Sequence, residues 1–305
     1  MNQDKNGLKI LILGGTGFLS GTLAKKALLK NNEVWTLSRG NHVAEDDGRN
    51  VLIADRHEAD RFKRVIEAAN IRWDTVIDCI GMNPEDARQD IDVLSHFTKQ
   101  IIFISTDSVY DPFHKKIPQN EDSDYYLTEG YGGNKRLCEL EFLHSDMGET
   151  FWTIIRPGHI FGPGSQLGCF PLHARDKELL HKLREGKTIS LVGGGHFLQQ
   201  PIFAPDLCDM LLSFIGNEKT YNQIFCVAGP EIIESKKYYE MIAEILGVAI
   251  NFAEIPIDAY YSAHPEDAPF LCHRVYDLSK LRSTGAAIPS TSMIDGLRLH
   301  VKSLL

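Results

Sequence analysis

The chain has 305 residues, 43% of them hydrophobic and 24% charged, with a formal net charge of −9. That is the composition of a soluble globular protein of one large or two ordinary domains, and its acidic balance argues against a broad surface for nucleic acid. No apolar run approaches the roughly 18 residues of a membrane span, and residues 1–7 hold no signal-peptide core, so a cytoplasmic chain without membrane contact is expected.

The first element is Lys9-Ile10-Leu11-Ile12-Leu13, a near-continuous apolar run of the kind buried on both faces in parallel sheets. It breaks at Gly14-Gly15-Thr16-Gly17, and apolar residues then recur with helical period from Phe18 to Leu28. Strand, glycine turn and helix together form the context of a dinucleotide site: the glycines permit close backbone approach, and the helix N-terminus offers N–H groups to a pyrophosphate. Strands are expected at 33–38, 51–54 and 75–78, with helices at 59–69 and 84–97, the second opening on Pro84 as suits a first turn. A strand at 101–105, a helix at 131–143 and a strand at 151–155 continue the alternation. The order predicts an α/β fold, a doubly wound parallel sheet of Rossmann type. After Gly162-Pro163-Gly164 the rhythm changes to a helix at 176–185, a glycine run, an apolar helix ending at Ile215, a strand at 223–227 and a helix at 235–246. The expected division is a dinucleotide-binding domain over 1–164 and a smaller α/β substrate lobe over 165–305, with segments near 198–228 returning to the first.

Ligands of open α/β sheets bind outside the carboxyl ends of the strands. Ser105-Thr106-Asp107-Ser108-Val109-Tyr110 follows the fifth strand, and Tyr131-Gly132-Gly133-Asn134-Lys135 opens the next helix. Tyr131 and Lys135, four apart, share a helical face. A neighbouring ammonium and a positively charged nicotinamide favour the phenolate; bringing a tyrosine pKa from ~10 to ~7 needs roughly 4 kcal/mol. Such a tyrosine exchanges a proton with a substrate hydroxyl while hydride moves, and Thr106 hydrogen-bonds the same oxygen. The six cysteines show no C-x-x-C pair and the twelve histidines no zinc-binding spacing, so no metal is expected.

These motifs, with Asp55 and Arg156-Pro157-Gly158-His159-Ile160-Phe161-Gly162, occur in one order across nearly the whole chain. They resemble the extended short-chain dehydrogenase/reductases, the NAD(P)-dependent nucleotide-sugar epimerases and dehydratases. The resemblance implies that Tyr131 is the catalytic tyrosine, that Lys135 also holds the nicotinamide ribose, and that Thr106 is the family's Ser/Thr. It places Gly14, Thr16, Gly17, Phe18 and Leu19 at the pyrophosphate, Asp55 and Arg56 near the adenine, Cys79 and Gly81 along the cofactor backbone, and Pro157, His159 and Ile160 at the nicotinamide. Three departures carry information. Ser20 replaces the third glycine, so either the first helix stands further from the strand or Gly21 takes up the approach. Ser38-Arg39 replaces the acidic residue that grips a ribose 2′-hydroxyl, which favours NADP with NAD the alternative. Gln199-Gln200 replaces the usual phosphate-gripping arginine, leaving Gln199 and Arg274 as candidate substrate contacts. Asp107 and Ser108 are also expected at the substrate, and the dehydratases of the family carry a glutamate where Ser108 stands.

Leu191–Gly195 and Gln199-Gln200 also look similar to an atypical branch that contains chloroplast stem-loop-binding proteins. Two functions follow. The first is an NAD(P)-dependent oxidoreductase or epimerase acting on a sugar hydroxyl or ketone, with a nucleotide sugar as the expected small-molecule partner. The second is a non-catalytic cofactor-binding protein, regulatory or RNA-associated. Charge weighs against RNA, and the intact Thr106–Tyr131–Lys135 set favours the enzyme. A homodimer, the family's usual assembly, stays open.

Overall fold

The computed structural model describes residues 7–41, 47–172 and 175–305; apart from Gly7, the segment read for a signal peptide lies outside them. In chain order the first half gives β1 (Lys9–Leu13), α1 (Phe18–Leu29), β2 (Glu33–Ser38), β3 (Asn50–Ile53), α2 (Ala59–Ala69), β4 (Thr75–Asp78), α3 (Pro84–Gln89), β5 (Gln100–Ile104), α4 (Gly130–His144) and β6 (Phe151–Pro157). The second half gives β7 (Ile160–Phe161), α5 (Leu179–Arg184), β8 (Ile189–Val192), β9 (Leu198–Gln199), β10 (Ile202–Phe203), α6 (Ala204–Phe214), β11 (Gln223–Val227), β12 (Ile233–Glu234), α7 (Ser235–Leu246), β13 (Phe252–Ile255), α8 (Ile257–Ala263), α9 (Ser279–Ser283) and α10 (Met293–Lys302).

Seven strands form one parallel sheet in the order β11-β6-β5-β4-β1-β2-β3. β1 lies inside it, between β2 and β4, so the strand order reverses there and a crevice opens at the carboxyl ends. Ile10, Leu11, Ile12 and Leu13 are all fully buried. Ile10 and Ile12 pack towards α1 and α6, with Leu23, Ala27 and Leu207; Leu11 and Leu13 pack on the opposite face with Phe62, Ile66 and Phe142. Each aliphatic side chain so withdrawn contributes about 1.5–3 kcal/mol, which is why the run is continuous rather than alternating.

A further core, including Leu183, Ile189, Tyr238, Ile242 and Leu297, lies in the second half. β11 nevertheless joins the main sheet, pairing Gln223↔Thr153 through Val227↔Pro157, and α6 packs on its α1 face. The β8–β13 parallel pair and α10, capped by the Ser292 side chain on the Asp295 N–H, are elements the sequence reading did not place. The expected helix at 84–97 is three pieces: α3, a π turn over Asp90–Leu94 and a 3₁₀ turn over Ser95–Phe97. The widened turn begins at Asp90, whose carboxylate is drawn to the buried guanidinium of Arg56 at 2.8 Å.

Among the described residues, no helix is long and apolar enough to cross a membrane, and no His, Cys, Asp and Glu cluster could hold a metal ion.

Candidate active site

The crevice has two ends. One, of about 340 Å³, lies over the β1–α1 turn and the ends of β2 and β3; the other, of about 590 Å³, runs across β4, β5 and β6 to the second half. Gly17, Ser20 and Ile80 line both, so the two are continuous.

Gly14 and Gly15 adopt φ of 114° and 105°, a region favouring glycine. A Cβ on Gly15 would stand 2.5 Å from Cβ of Thr36. The backbone therefore lies bare at the mouth of α1, where Thr16 and Gly17 line the smaller end and Phe18 and Leu19 the larger. That combination suits a pyrophosphate. Ser20 resolves its own departure: its Oγ accepts from the Gly17 N–H at 3.2 Å and lies against Gly14, whereas Gly21 makes only ordinary contacts. Ser38, Arg39 and Asp55 line the same end. Arg39 is exposed and has no ion-pair partner among the described residues. Arg56 lines this end beside Asp55, and its buried guanidinium is committed to Asp78, Asp86 and Asp90 at 2.8–3.1 Å.

At the larger end, Thr106, Asp107 and Ser108 come from the turn after β5, Tyr131 and Lys135 from the first turns of α4, and Pro157, His159 and Ile160 from the end of β6 and the start of β7. Tyr131 is half exposed and shares the wall with Thr106. Its pKa is raised by burial, an effect opposed by the nearby Thr106 hydroxyl and by the charge of Arg175. Lys135 differs from expectation. Its ammonium donates at 2.6 Å to the carbonyls of Gly81 and Ile104, over the ring of Phe103, rather than to the phenol. Burial lowers its pKa. Gly81 thus acts through its carbonyl, while Cys79 lines the wall as a half-buried thiol whose pKa desolvation drives well up. His159 is held neutral, its pKa pushed down to about 4 by burial and the charges of Arg175 and Arg274.

Two substrate candidates are corrected. Arg274 is buried and ion-paired to Asp107, which also accepts from the Tyr276 hydroxyl and lies 3.6 Å from the Lys115 ammonium. Gln199 is fully buried outside the crevice, in a backbone bridge with Arg274. Arg274 is drawn into the interior because Asp107, once buried, needs cationic partners. Burial works against its ionisation, yet Arg274 and Lys115 hold its pKa below the usual carboxylate range.

Sequence reasoning missed Phe170, Arg175 and Phe270. The rings of Phe170 and Phe270 stack at 4.8 Å and 9° over the far wall. Arg175 has no ion-pair partner among the described residues. Phe170 and Arg175 lie on loops and Phe270 at the end of a 3₁₀ turn, none with a motif, and only Arg175, a cation just before a helix, gave any signal.

A seven-stranded doubly wound sheet with a glycine cradle at its reversal and a Thr–Tyr–Lys set beside it defines a dinucleotide-dependent class of α/β protein. The chain belongs to the NAD dependent epimerase/dehydratase family, whose sequence model matches residues 10–228. It is 26% identical over 266 residues to the chloroplast stem-loop binding protein of 41 kDa b from Arabidopsis thaliana, covering 83% of this chain and 66% of that protein, so it spans less than two thirds of that relative. In fold it is similar to UDP-glucose 4-epimerase from Thermotoga maritima, with TM-score 0.78, 17% identity and coverage of 97% and 98% of the two chains. It is likewise similar to UDP-N-acetylglucosamine 4-epimerase from Methanobrevibacter ruminantium, with TM-score 0.79, 17% identity and 98% of each chain covered. A third is UDP-glucuronic acid 4-epimerase from Bacillus cereus, solved with UDP-glucuronic acid and NAD, at TM-score 0.75, 18% identity and 97% and 99% coverage.

Proposed function

We propose that the chain is an oxidoreductase or epimerase that exchanges a proton and a hydride with a carbinol or ketone of a sugar-like substrate, using a bound nicotinamide dinucleotide. The observation that carries this reading is the meeting of Thr106, Tyr131 and Lys135 on one wall of the crevice that begins at the glycine cradle. When bound, the nicotinamide supplies the hydride acceptor or donor. Gly14, Thr16, Gly17 and the α1 N-terminus would hold the pyrophosphate, and Lys135 the nicotinamide ribose. Arg39 would hold a 2′-phosphate, which makes NADP the favoured cofactor over NAD.

Tyr131 exchanges the proton. Thr106, on the same wall, would bind the substrate oxygen. Burial works against the phenolate, so its formation would depend on the nearby Thr106 hydroxyl, on Arg175 and on the positive charge an oxidised nicotinamide would bring. Neutral His159 and the Phe170–Phe270 pair restrict water at the reacting carbon.

The nucleotide-sugar substrates named for the similar structures make nucleotide-diphosphate sugars the first panel to test. Purified protein should bind NADPH or NADH, and one sugar in the panel should change nicotinamide absorbance or undergo epimerisation. Tyr131→Phe should keep cofactor binding and lower turnover by about 10²–10⁴. Full activity in that variant would refute the assignment. The Arabidopsis relative supports a second reading, a nucleic-acid stem-loop binder. Stem-loop binding that survives loss of Tyr131 and Lys135, with no turnover on any sugar, would favour it.

A further inference from the structure

Arg56, expected near the adenine, also does something else. Its guanidinium passes beneath the turn that follows β4. Nη1 donates to Asp78 Oδ2 at 3.0 Å, Nη2 donates to Asp90 Oδ1 and the Asp86 carbonyl at 2.8 Å each, and Nε lies 3.1 Å from Asp86 Oδ1. A planar fork suits this many acceptors in a way an ammonium does not. The two best-placed carboxylates grip the turn in their own right. Asp78 Oδ1 accepts from the N–H groups of Ile80 and Gly81 at 2.8 and 2.9 Å, and Asp86 Oδ2 accepts from Met82 at 2.8 Å. Three consecutive backbone N–H groups are thereby fixed by carboxylates that Arg56 holds in place.

The turn so fixed is the wall common to both ends of the crevice, through Ile80, and its Gly81 carbonyl seats the Lys135 ammonium. Nothing else fits there: a Cβ on Gly81 would overlap the Asp78 carboxylate and stand 2.8 Å from the Phe103 ring. Charge is consistent with a single rigid unit. Asp78 and Asp90 are coupled through Arg56: the guanidinium holds the Asp78 pKa below the usual carboxylate range against burial, while burial and the neighbouring Asp78 charge drive the Asp90 pKa well up.

We propose that Arg56 is a positioning residue for Lys135, acting through Asp78 and the 80–82 turn, so that it governs capture of the nicotinamide half of the cofactor without touching the adenosine half. This rests on the reading of Lys135 as the nicotinamide-ribose residue. It contrasts with direct contact between Arg56 and the adenosine, which its position on the rim of the smaller end would otherwise suggest.

The test compares full dinucleotides, NADPH and NADH, with ADP and its 2′-phosphorylated analogue, which fill only the adenosine end. Arg56→Lys should raise the dinucleotide Kd about tenfold, the scale of one charge-assisted hydrogen bond, and leave the fragment Kd unchanged. Asp78→Asn, which sets an amide NH2 against the Arg56 guanidinium and so unlinks the turn from it, should give the same split. In a Lys135→Met background the added effect of Arg56→Lys on the dinucleotide should vanish, since the residue it acts through is gone. Equal loss for fragment and dinucleotide, or an undiminished effect in the Lys135→Met background, would overturn the proposal. Wild-type protein that binds neither dinucleotide would instead overturn the cofactor reading beneath it.

Discussion

On the proposed reading, cofactor choice turns on Arg39. It sits at the rim of the smaller end beside Ser38, exposed and without an ion-pair partner among the described residues. A charge-assisted contact contributes roughly 1.5–3 kcal/mol, so Arg39→Ala should weaken NADPH binding by about 10- to 150-fold and barely alter NADH. Isothermal titration of both cofactors into both proteins checks this; unchanged NADPH affinity would be fatal to it. His159 gives a second prediction, in stability. Its folded pKa of about 4 lies below the ordinary ~6.5, so between those values the unfolded chain binds a proton that the folded chain refuses. Its contribution is therefore complete above about pH 6.5 and is lost as pH falls towards 4. Urea unfolding should show the native chain losing about 2 kcal/mol more than His159→Gln between pH 7 and pH 5. Identical losses would show that the ring is not held neutral. Arg39 was legible in the sequence because it follows a strand at a fixed offset. His159 was placed by its motif, but its depressed pKa comes from burial and from the charges of Arg175 and Arg274, none of which the motif shows.

Elements were legible in proportion to how much of their pattern is local. The seven sheet strands announce themselves as apolar runs, and each bound falls within a residue or two of expectation; the inner strands, such as β1 and β4, are the clearest because they are buried on both faces. The three-piece helix after Pro84 was not legible, since the widening at Asp90 answers to Arg56, a partner 34 residues away. The joining of α4 to the sheet was hidden for the same reason. Glu139 of α4 and Arg156 of β6, both fully buried, form a two-pronged pair at 2.8 and 2.7 Å. Glu139 also accepts from Ser105 and Arg136, and Arg156 donates to Tyr110 and the Glu121 carbonyl. The pair fixes the helix that carries Tyr131 and Lys135 against the strand that ends at Pro157. Removing one partner strands a buried charge, so Arg156→Leu should cost about 3–5 kcal/mol. Adding Glu139→Leu should recover much of that, and chemical denaturation of the three variants reads the difference. Additive losses would mean that the two charges act separately.

At the scale of the whole molecule, the halves meet over Asp107. The acid comes from the turn after β5, and its partners Arg274 and Tyr276 come from 167 and 169 residues further along the chain, with Lys115 from the long loop before α4. This meeting decides which reactions the site can perform. Eliminating water from an oxidised hexose needs one group to take a proton from carbon and another to give one to the departing hydroxyl. Among the described residues, Asp107 is the only acid lining the crevice near Thr106, and Arg274 and Lys115 hold its pKa below the usual carboxylate range, so it has no proton to give near neutral pH. Ser108 stands where a second carboxylate would serve as base, and a hydroxyl cannot take a proton from carbon at a useful rate. Glu121 is no substitute. Its Oε1 accepts from the Cys226 N–H at 2.9 Å, and neither it nor Asp122 reaches the crevice. Hydride and proton exchange at one carbon, with or without inversion, is therefore expected, and 4,6-dehydration is not. Incubating the protein and NAD(P) with nucleotide-diphosphate hexoses should yield no product lighter by one water in mass spectrometry. Asp107→Asn should not create one, since losing the charge frees Arg274 and Lys115 without supplying a base. A 4-keto-6-deoxy product from the native chain would require a proton donor that the Asp107–Arg274–Lys115 cluster forbids.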